Sequence, residues 1–378
     1  MSGPRVVLAG LGAMGRRRLA ALLELGVEEI VLLRSPGRAG AAAPSADPAL
    51  AADPAAELPV ATDLDAALAA FPGGPPDALF VCVPATHHLA LALPAARAGC
   101  HLFLEKPLAA AREGVAELVD EVERRRLVAM VGFDLRFEPG LLRVRELLDR
   151  GAVGSLRALR AHVGQYLPDW RPGRDYRETV TARSALGGGV LHELCHELDL
   201  ALWLAGPAVA VSCRTARVGP LEMDAENLAE IVLDLPGGGL ASIHLDCLDR
   251  AATRTLRLIG DDGTILWDHH ARSVAWWSTG AGASSGAWQR FDYPGHRREK
   301  RFRREVELFL EALRDGGAAA ARPPVDARGG AAVLELVLAA AESARRGTVV
   351  RVAGSADRLD RAAGGALAAG TAGAGRRA

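Results

Sequence analysis

Three short stretches hold residue types that could do chemistry. In "GGGVLHELCHELD" (187–199), His192 and His196 stand four apart with Glu193 beside the first. On one continuous helix both imidazoles share a face, so the pair could grip zinc while the glutamate acts as base. The longer HExxHxxGxxH pattern would need glycine at 199 and histidine at 202, where the chain has Asp199 and Leu202. A third ligand would have to come from a distance, Glu222 or Glu226. The same letters serve equally without metal, because an imidazole titrating near neutrality is a ready general acid or base.

The second stretch is "HLFLEKP" (101–107), an apolar run ending in Glu105-Lys106-Pro107. A lysine at a strand's carboxyl end can hold a substrate oxygen as charge develops on it, or can be a solvated charge. The third is "VVLAGLGAMGRR" (6–17), where Gly10, Gly12 and Gly15 form G-x-G-x-x-G between a strand and a helix. Gly10 allows the tight turn, Gly12 the close approach of a pyrophosphate, and Gly15 close helix–strand packing. Ala13, Met14 and Arg16 at the helix start supply amides and charge to the phosphates. The next strand closes on Arg34 and Ser35. A dinucleotide domain specific for NAD usually has an acid there, which would repel a 2′-phosphate, whereas Arg34 attracts one or stacks on adenine. NADP is therefore expected to be preferred over NAD.

The elements around these stretches set the fold class. Short apolar runs alternate with helical patterns over 5–130, which predicts a doubly wound Rossmann sheet of parallel strands in residues 1–130. Ligands bind such sheets at the carboxyl ends of the strands, where Lys106 stands. From about 155 strand-like segments follow one another, separated by turns such as "PGGG" and "DDG". They predict an α+β unit over 131–353 built on a largely antiparallel open sheet, with helices at 302–314 and 329–345. Residues 36–59 read as a surface connection, and 354–378, rich in Ala, Gly and Arg, as a disordered tail.

Composition narrows the classes. The 378 residues are 49% hydrophobic, enough for two cores, and the net charge of −1 gives no pull toward nucleic acid. No run approaches the roughly 18 apolar residues of a membrane span, and the N-terminus enters a strand without a signal-peptide pattern. Five cysteines without a CxxC pair fit reduced thiols in a cytoplasm. The basic run "HRREKRFRRE" (296–305) reads as the solvated start of an amphipathic helix, or as a polyanion patch.

The motifs "GLGAMG", "VCVPATHH" (81–88), "EKP", "VGFDLRF" (131–137) and "GGGVLHELCHELD" stand in the order of one family. Over roughly 4–352 the chain resembles the Gfo/Idh/MocA dinucleotide-dependent oxidoreductases. The resemblance implies hydride transfer between a nicotinamide and a secondary alcohol or carbonyl of a sugar, sugar acid or cyclitol-like substrate. It also implies a cis Lys106–Pro107 bond. His196 becomes the acid/base and Lys106 the partner of the reacting oxygen. Glu193, one helical turn before His196, stands where the family usually has Asp and orients the histidine or binds a hydroxyl. Pro84, Glu105 and Lys106 fall beside the cofactor; His88 either touches it or packs the helix start. Tyr166, Arg174, Tyr176, Arg177 and His192 are candidates for the substrate, with solvated loop as the plain alternative for the first four. Arg136 lines the cleft or pairs with an acid; His244 and Asp246 read as sheet surface and Cys195 as helix packing. No metal is assigned, and the far face of the second sheet is expected to join copies into a homodimer or homotetramer. A non-catalytic dinucleotide sensor and a zinc hydrolase are the other classes.

Overall fold

The computed structural model describes residues 3–35, 54–279, 286–314 and 323–352. The tail expected beyond 353, and 36–53 of the expected connection, lie outside these. Residues 54–57 form a helical turn.

Six strands make the first sheet: β1 (Val6–Ala9), β2 (Ile30–Leu33), β3 (Val60–Ala61), β4 (Ala78–Val81), β5 (His101–Glu105) and β6 (Ala129–Gly132). Their order is 3-2-1-4-5-6 and every pairing is parallel. Residues of β1 alternate faces, as the two-residue period of a strand requires. Val7 and Ala9 pack toward α3 (His88–Arg97) and α4 (Val115–Arg124), while Val6 and Leu8 pack toward α1 (Ala13–Glu24). The short α2 (Leu64–Leu68) starts where Asp63 accepts a bond from the Ala66 amide at 2.8 Å.

The second sheet has nine strands, in order β14-β13-β12-β11-β7-β10-β9-β8-β15. They are β7 (Leu156–Gly164), β8 (Ala210–Ala216), β9 (Leu228–Asp234), β10 (Leu240–Asp246), β11 (Thr253–Gly260), β12 (Gly263–Asp268), β13 (Ser273–Ser278), β14 (Ala287–Asp292) and β15 (Val350–Arg351). All neighbours are antiparallel except β7 and β10. The α/β architecture with a second, mostly antiparallel sheet is as expected. One face is covered by helices, among them α5 (Pro139–Asp149), α7 (His196–Ala205) and α9 (Ala327–Arg346). The other is open and mixes polar side chains with exposed Val232, Leu240 and Trp288.

Four α-helices and strands escaped the sequence reading: α5, β3, β13 and β14. Every residue of β14 is exposed, so no apolar alternation marks it. A larger departure concerns α8 (Arg298–Arg314), expected to start as a solvated basic stretch of the second unit. It packs on the first sheet instead. Phe309 sits edge-on to Phe80 and Phe103 at 5.3 and 5.6 Å, and Arg301 and Glu305 are buried beneath it. Arg301 is buried while Arg303 and Arg304 are exposed, because one helix face meets the sheet and the other meets water.

Candidate active site

The turn from β1 to α1 is shaped for a close visitor. Gly10 has φ +92°, and a Cβ there would lie 2.7 Å from the Cys82 carbonyl oxygen. A Cβ on Gly15 would lie 2.0 Å from the Gly10 oxygen, so helix and strand touch. At Gly12 a Cβ would meet nothing within 4 Å. That open space fronts the start of α1, whose N-cap Gly12 offers no side-chain bond. Helix geometry leaves the first-turn amides, those of Ala13, Met14 and Gly15, pointing outward with the positive end of the dipole. The strand order also reverses beside β1, the crevice where open α/β sheets take ligands. These residues fit a dinucleotide pyrophosphate. Arg34, half-buried, and Ser35, exposed, close β2 at the same edge, Arg16 lies in the first turn of α1, and Pro84 follows β4.

His88 is buried, with Nε2 2.9 Å from the Val83 oxygen and Nδ1 3.2 Å from that of Leu108. Burial draws its pKa down. The ring ties two loops together, which is the packing alternative. Glu105 also turns away from the crevice. Its carboxylate accepts from Arg18 Nε at 2.7 Å, and Arg18 Nη1 reaches Glu305 at 2.7 Å. Arg18 lies over the Phe103 ring, 4.5 Å from its centroid. The expected cofactor contact of the Glu105 side chain is thus replaced by a buried charge bridge from α1 to α8.

Lys106 follows β5 and its bond to Pro107 is cis, as the resemblance implied. Its ammonium donates to the Glu193 carbonyl at 2.8 Å and lies 3.7 Å from the Glu193 carboxylate. Burial would lower the Lys106 pKa, but Glu193 and other acids raise it above the ordinary value. Glu193 in turn accepts from Thr181 Oγ1 at 2.9 Å. Burial would raise its pKa, yet Lys106 and Thr181 hold it below the usual range.

The segment carrying both histidines is not one helix. α6 (Val190–Glu193) stops, and α7 starts anew at His196. In a continuous helix the Glu193 carbonyl would take the Glu197 amide. Here that amide turns to the Leu194 oxygen at 3.3 Å, and the released carbonyl accepts Lys106. The shared helical face of the zinc motif is therefore lost. His192 Nε2 lies 3.3 Å from the Ala110 oxygen, whereas His196 Nε2 lies 3.6 Å from Asp134. Glu193 does not sit one turn below His196, and its carboxylate serves Lys106 instead.

His196 is held from the first sheet's side. Asp134, just past β6, faces its Nε2, and Phe133 meets the ring edge-on at 5.6 Å. Asp134 lies 3.0 Å from Arg301 Nε, an ion pair without hydrogen-bond alignment. Arg301 also contacts Glu138, which accepts from the Tyr293 hydroxyl at 2.9 Å. Burial would lift Asp134, but Arg301 and then His196 hold it far below the ordinary carboxylate range. His196 moves the other way: burial drives it well below the usual imidazole value, against the pull of Asp134. Its Nδ1 is buried without a hydrogen-bond partner. Arg136 pairs with Asp199 at 2.7 Å, and Arg254 with Glu197 at 2.7 Å, which pins α7 on both sides. Cys195 is buried in packing.

The loop candidates divide. Arg174 and Tyr176 line a small cavity with Trp170, Arg171 and Thr181, the last bonded to Glu193. The Tyr176 hydroxyl accepts from the Glu222 amide at 3.0 Å. Tyr166 lies under the Arg250 guanidinium, 3.6 Å from the ring centroid. Arg177 points outward to Asp175 and Glu222 at 2.9 and 3.3 Å, away from this cavity. Sequence reasoning missed Asp134, Thr181, Arg171, Arg18 and Arg301. Asp134 had a usable signal, an acid just after a strand's carboxyl end. Arg18 had another, a charge between Gly15 and Leu22 on the apolar stripe of α1.

Comparison with known proteins gives the same outline. Residues 4–133 match the model described as "Oxidoreductase family, NAD-binding Rossmann fold", and 141–266 match "GFO/IDH/MocA C-terminal domain". Levoglucosan dehydrogenase of Pseudarthrobacter phenanthrenivorans is 32% identical over 136 residues, 35% of this chain and 34% of the relative. Inositol 2-dehydrogenase 2 of Saccharopolyspora erythraea is 30% identical over 172 residues, 45% and 47%. The chain thus spans between a third and a half of the length of these curated relatives. A solved levoglucosan dehydrogenase in complex with NADH and levoglucosan superposes with TM-score 0.77 at 20% identity, covering 93% of this chain and 100% of that one. This likeness concerns the fold.

Proposed function

The chain belongs to the Gfo/Idh/MocA oxidoreductase family, and from that premise we propose that it moves hydride between a nicotinamide and a secondary alcohol or carbonyl of a polyhydroxylated small molecule. The substrate class is a sugar, sugar acid or cyclitol, in keeping with relatives named for levoglucosan and inositol. The observation that carries the reading is the convergence of Lys106 and Glu193 beside the strand ends that hold the glycine turn, with His196 Nδ1 left unpartnered.

The bound nicotinamide supplies or accepts the hydride. Gly10, Gly12, Ala13, Met14 and Gly15 would hold the pyrophosphate. His196 is neutral at neutral pH, so its Nδ1 lone pair can take the proton of a substrate hydroxyl. Asp134 faces the opposite ring nitrogen, orients it and stabilises the imidazolium formed. Lys106 spends one N–H on the Glu193 carbonyl and directs the others at the reacting oxygen, where positive charge offsets developing alkoxide. Glu193 keeps that lysine charged and in place. Arg174, Tyr176, Arg171 and Tyr166 would meet the remaining hydroxyls or a carboxylate, with His192 at the rim.

The finer cofactor preference is for NADP, since the edge of β2 ends in Arg34 rather than an acid. The open face of the second sheet, where Val232, Leu240 and Trp288 are exposed, is the proposed surface of a homodimer or homotetramer. Five buried free thiols fit a cytoplasmic setting, and no helix among the described residues is long and apolar enough to cross a membrane.

The test is a fluorescence titration with NADPH and NADH. It is followed by transfer of a labelled hydride from each to a panel of keto-sugars, keto-sugar acids and inosose-type cyclitols. Binding of both with equal affinity, unchanged in Arg34→Ala, would remove the NADP preference. Tight binding without label transfer to any carbonyl would leave a sensor, not an enzyme.

A further inference from the structure

A second constellation lies far from the cleft, on the open face of the nine-stranded sheet. Glu230 on β9, His244 on β10 and His162 on β7 stand directly opposite one another in register. Strand alternation sends their neighbours Ile243, Ala161 and Ile231 into the core and these three outward. The imidazoles of His162 and His244 lie 4.4 Å apart between centroids, tilted by 34°. Asp246, one same-face step along β10, leans over β7 toward them. It can do so because position 164 is glycine: a Cβ there would lie 2.2 Å from Asp246 Oδ2.

The bonding leaves donor atoms aimed at one point. Glu230 accepts from His244 Nδ1 at 2.6 Å, and because Nε2 also faces a carboxylate, a metal ion bound there takes the place of the Nε2 proton. That Nε2 lies 2.9 Å from Asp246 Oδ2. Asp246 Oδ1 is already used by the Leu248 and Asp249 amides at 2.6 and 2.7 Å. His162 Nε2 is buried and has no hydrogen-bond partner. His162, His244 and Asp246 each offer one ligand atom within 4.8 Å of the others, the single such cluster among the described residues.

We propose that His162 Nε2, His244 Nε2 and Asp246 Oδ2 form a binding site for a divalent transition-metal ion, zinc foremost. Two imidazoles and one carboxylate suit zinc, whose ligand atoms at ~2.0–2.2 Å stand about 3.3–3.5 Å apart, a small contraction from the observed spread. Glu230 supplies the outer carboxylate that fixes the His244 tautomer and makes its Nε2 a better donor. A water or one further donor completes four-coordination. Asp246 and Glu230 balance the ion's charge. Arg160 and Arg257 share the hollow but stand one same-face step along their strands, roughly 7 Å away, against direct contact for the ligands. The site is unrelated to the His192–His196 pair, whose nitrogens face Ala110 and Asp134.

The experiment is titration of the full-length protein with zinc in competition with a chromophoric chelator, repeated with cobalt for its visible absorption. One ion per chain is expected. His162→Ala and His244→Ala should each weaken zinc by at least ~100-fold, and Glu230→Gln by about 10–100-fold. Dinucleotide titration should be unchanged in all three, which shows that they fold; His162→Gln replaces His162→Ala if it does not. Failure to compete with the chelator overturns the proposal. So does uptake that survives His162→Ala but is abolished by His192→Ala.

Discussion

Burial keeps His196 neutral at neutral pH, which fixes the sign of two pH effects. As a proton acceptor it stays competent until the medium falls below its depressed pKa. The acidic limb of kcat/KM for alcohol oxidation should therefore lie below about pH 6.5, the unperturbed histidine value. A limb near pH 7.5 would assign the base elsewhere. His88 and His192 are depressed by burial as well. For all three the unfolded chain binds protons that the folded chain refuses. Their share of stability is full above about pH 6.5 and is lost as pH drops below it; melting midpoints from pH 8 to 5 check this. His196→Ala should lower kcat by about 10²–10⁴-fold. Asp134→Ala should cost activity and also about 3–5 kcal/mol of stability, because it strips the buried Arg301 of a counter-charge. Urea unfolding separates that variant from His196→Ala, which strands no charge. His196 could be singled out as the proposed acid/base at this scale because an imidazole's chemistry is written in its type. Asp134 showed only as an acid past a strand's end; that it faces His196 and Arg301, 62 and 167 positions away, no local pattern records.

At the scale of elements, the glycine turn makes opposite demands at two of its positions. Gly12→Ala has room for its methyl group, so it should fold with an unchanged melting midpoint yet bind dinucleotide at least ~10-fold more weakly. Gly15→Ala would force a methyl group into the Gly10 carbonyl and should be destabilised whether or not cofactor is present. Differential scanning fluorimetry with and without NADPH distinguishes the two. The strand-helix alternation of the first sheet was readable because fully buried parallel strands are continuous apolar runs. The break between α6 and α7 was not readable. "VLHELCHELDLALWLA" contains neither proline nor glycine, and the helix parts because Lys106 competes for the Glu193 carbonyl from another element. β14 likewise exists through pairing with β13 rather than through a buried face.

At the scale of the molecule, α8 joins the two halves. Its Phe309 fills the space between α8 and the first sheet, so Phe309→Ala should cost about 3–5 kcal/mol. Because Arg301 and Glu305 lie on the same helix, denaturant unfolding should lose cofactor protection together with stability. A variant as stable as the parent would mean that the sheet closes without this helix. Nothing in residues 1–130 announces that their core is finished by a segment from beyond 297.

That arrangement also has a consequence in time. When β6 leaves the ribosome the sheet from Val6 to Gly132 can pair, but the faces of Phe80 and Phe103 meant for Phe309 are bare. Well over a hundred residues remain to be added, and at about 5–20 residues per second the wait is on the order of ten seconds or more. Until α8 is made, the nascent dinucleotide half carries an uncovered apolar face, the kind of surface that invites aggregation.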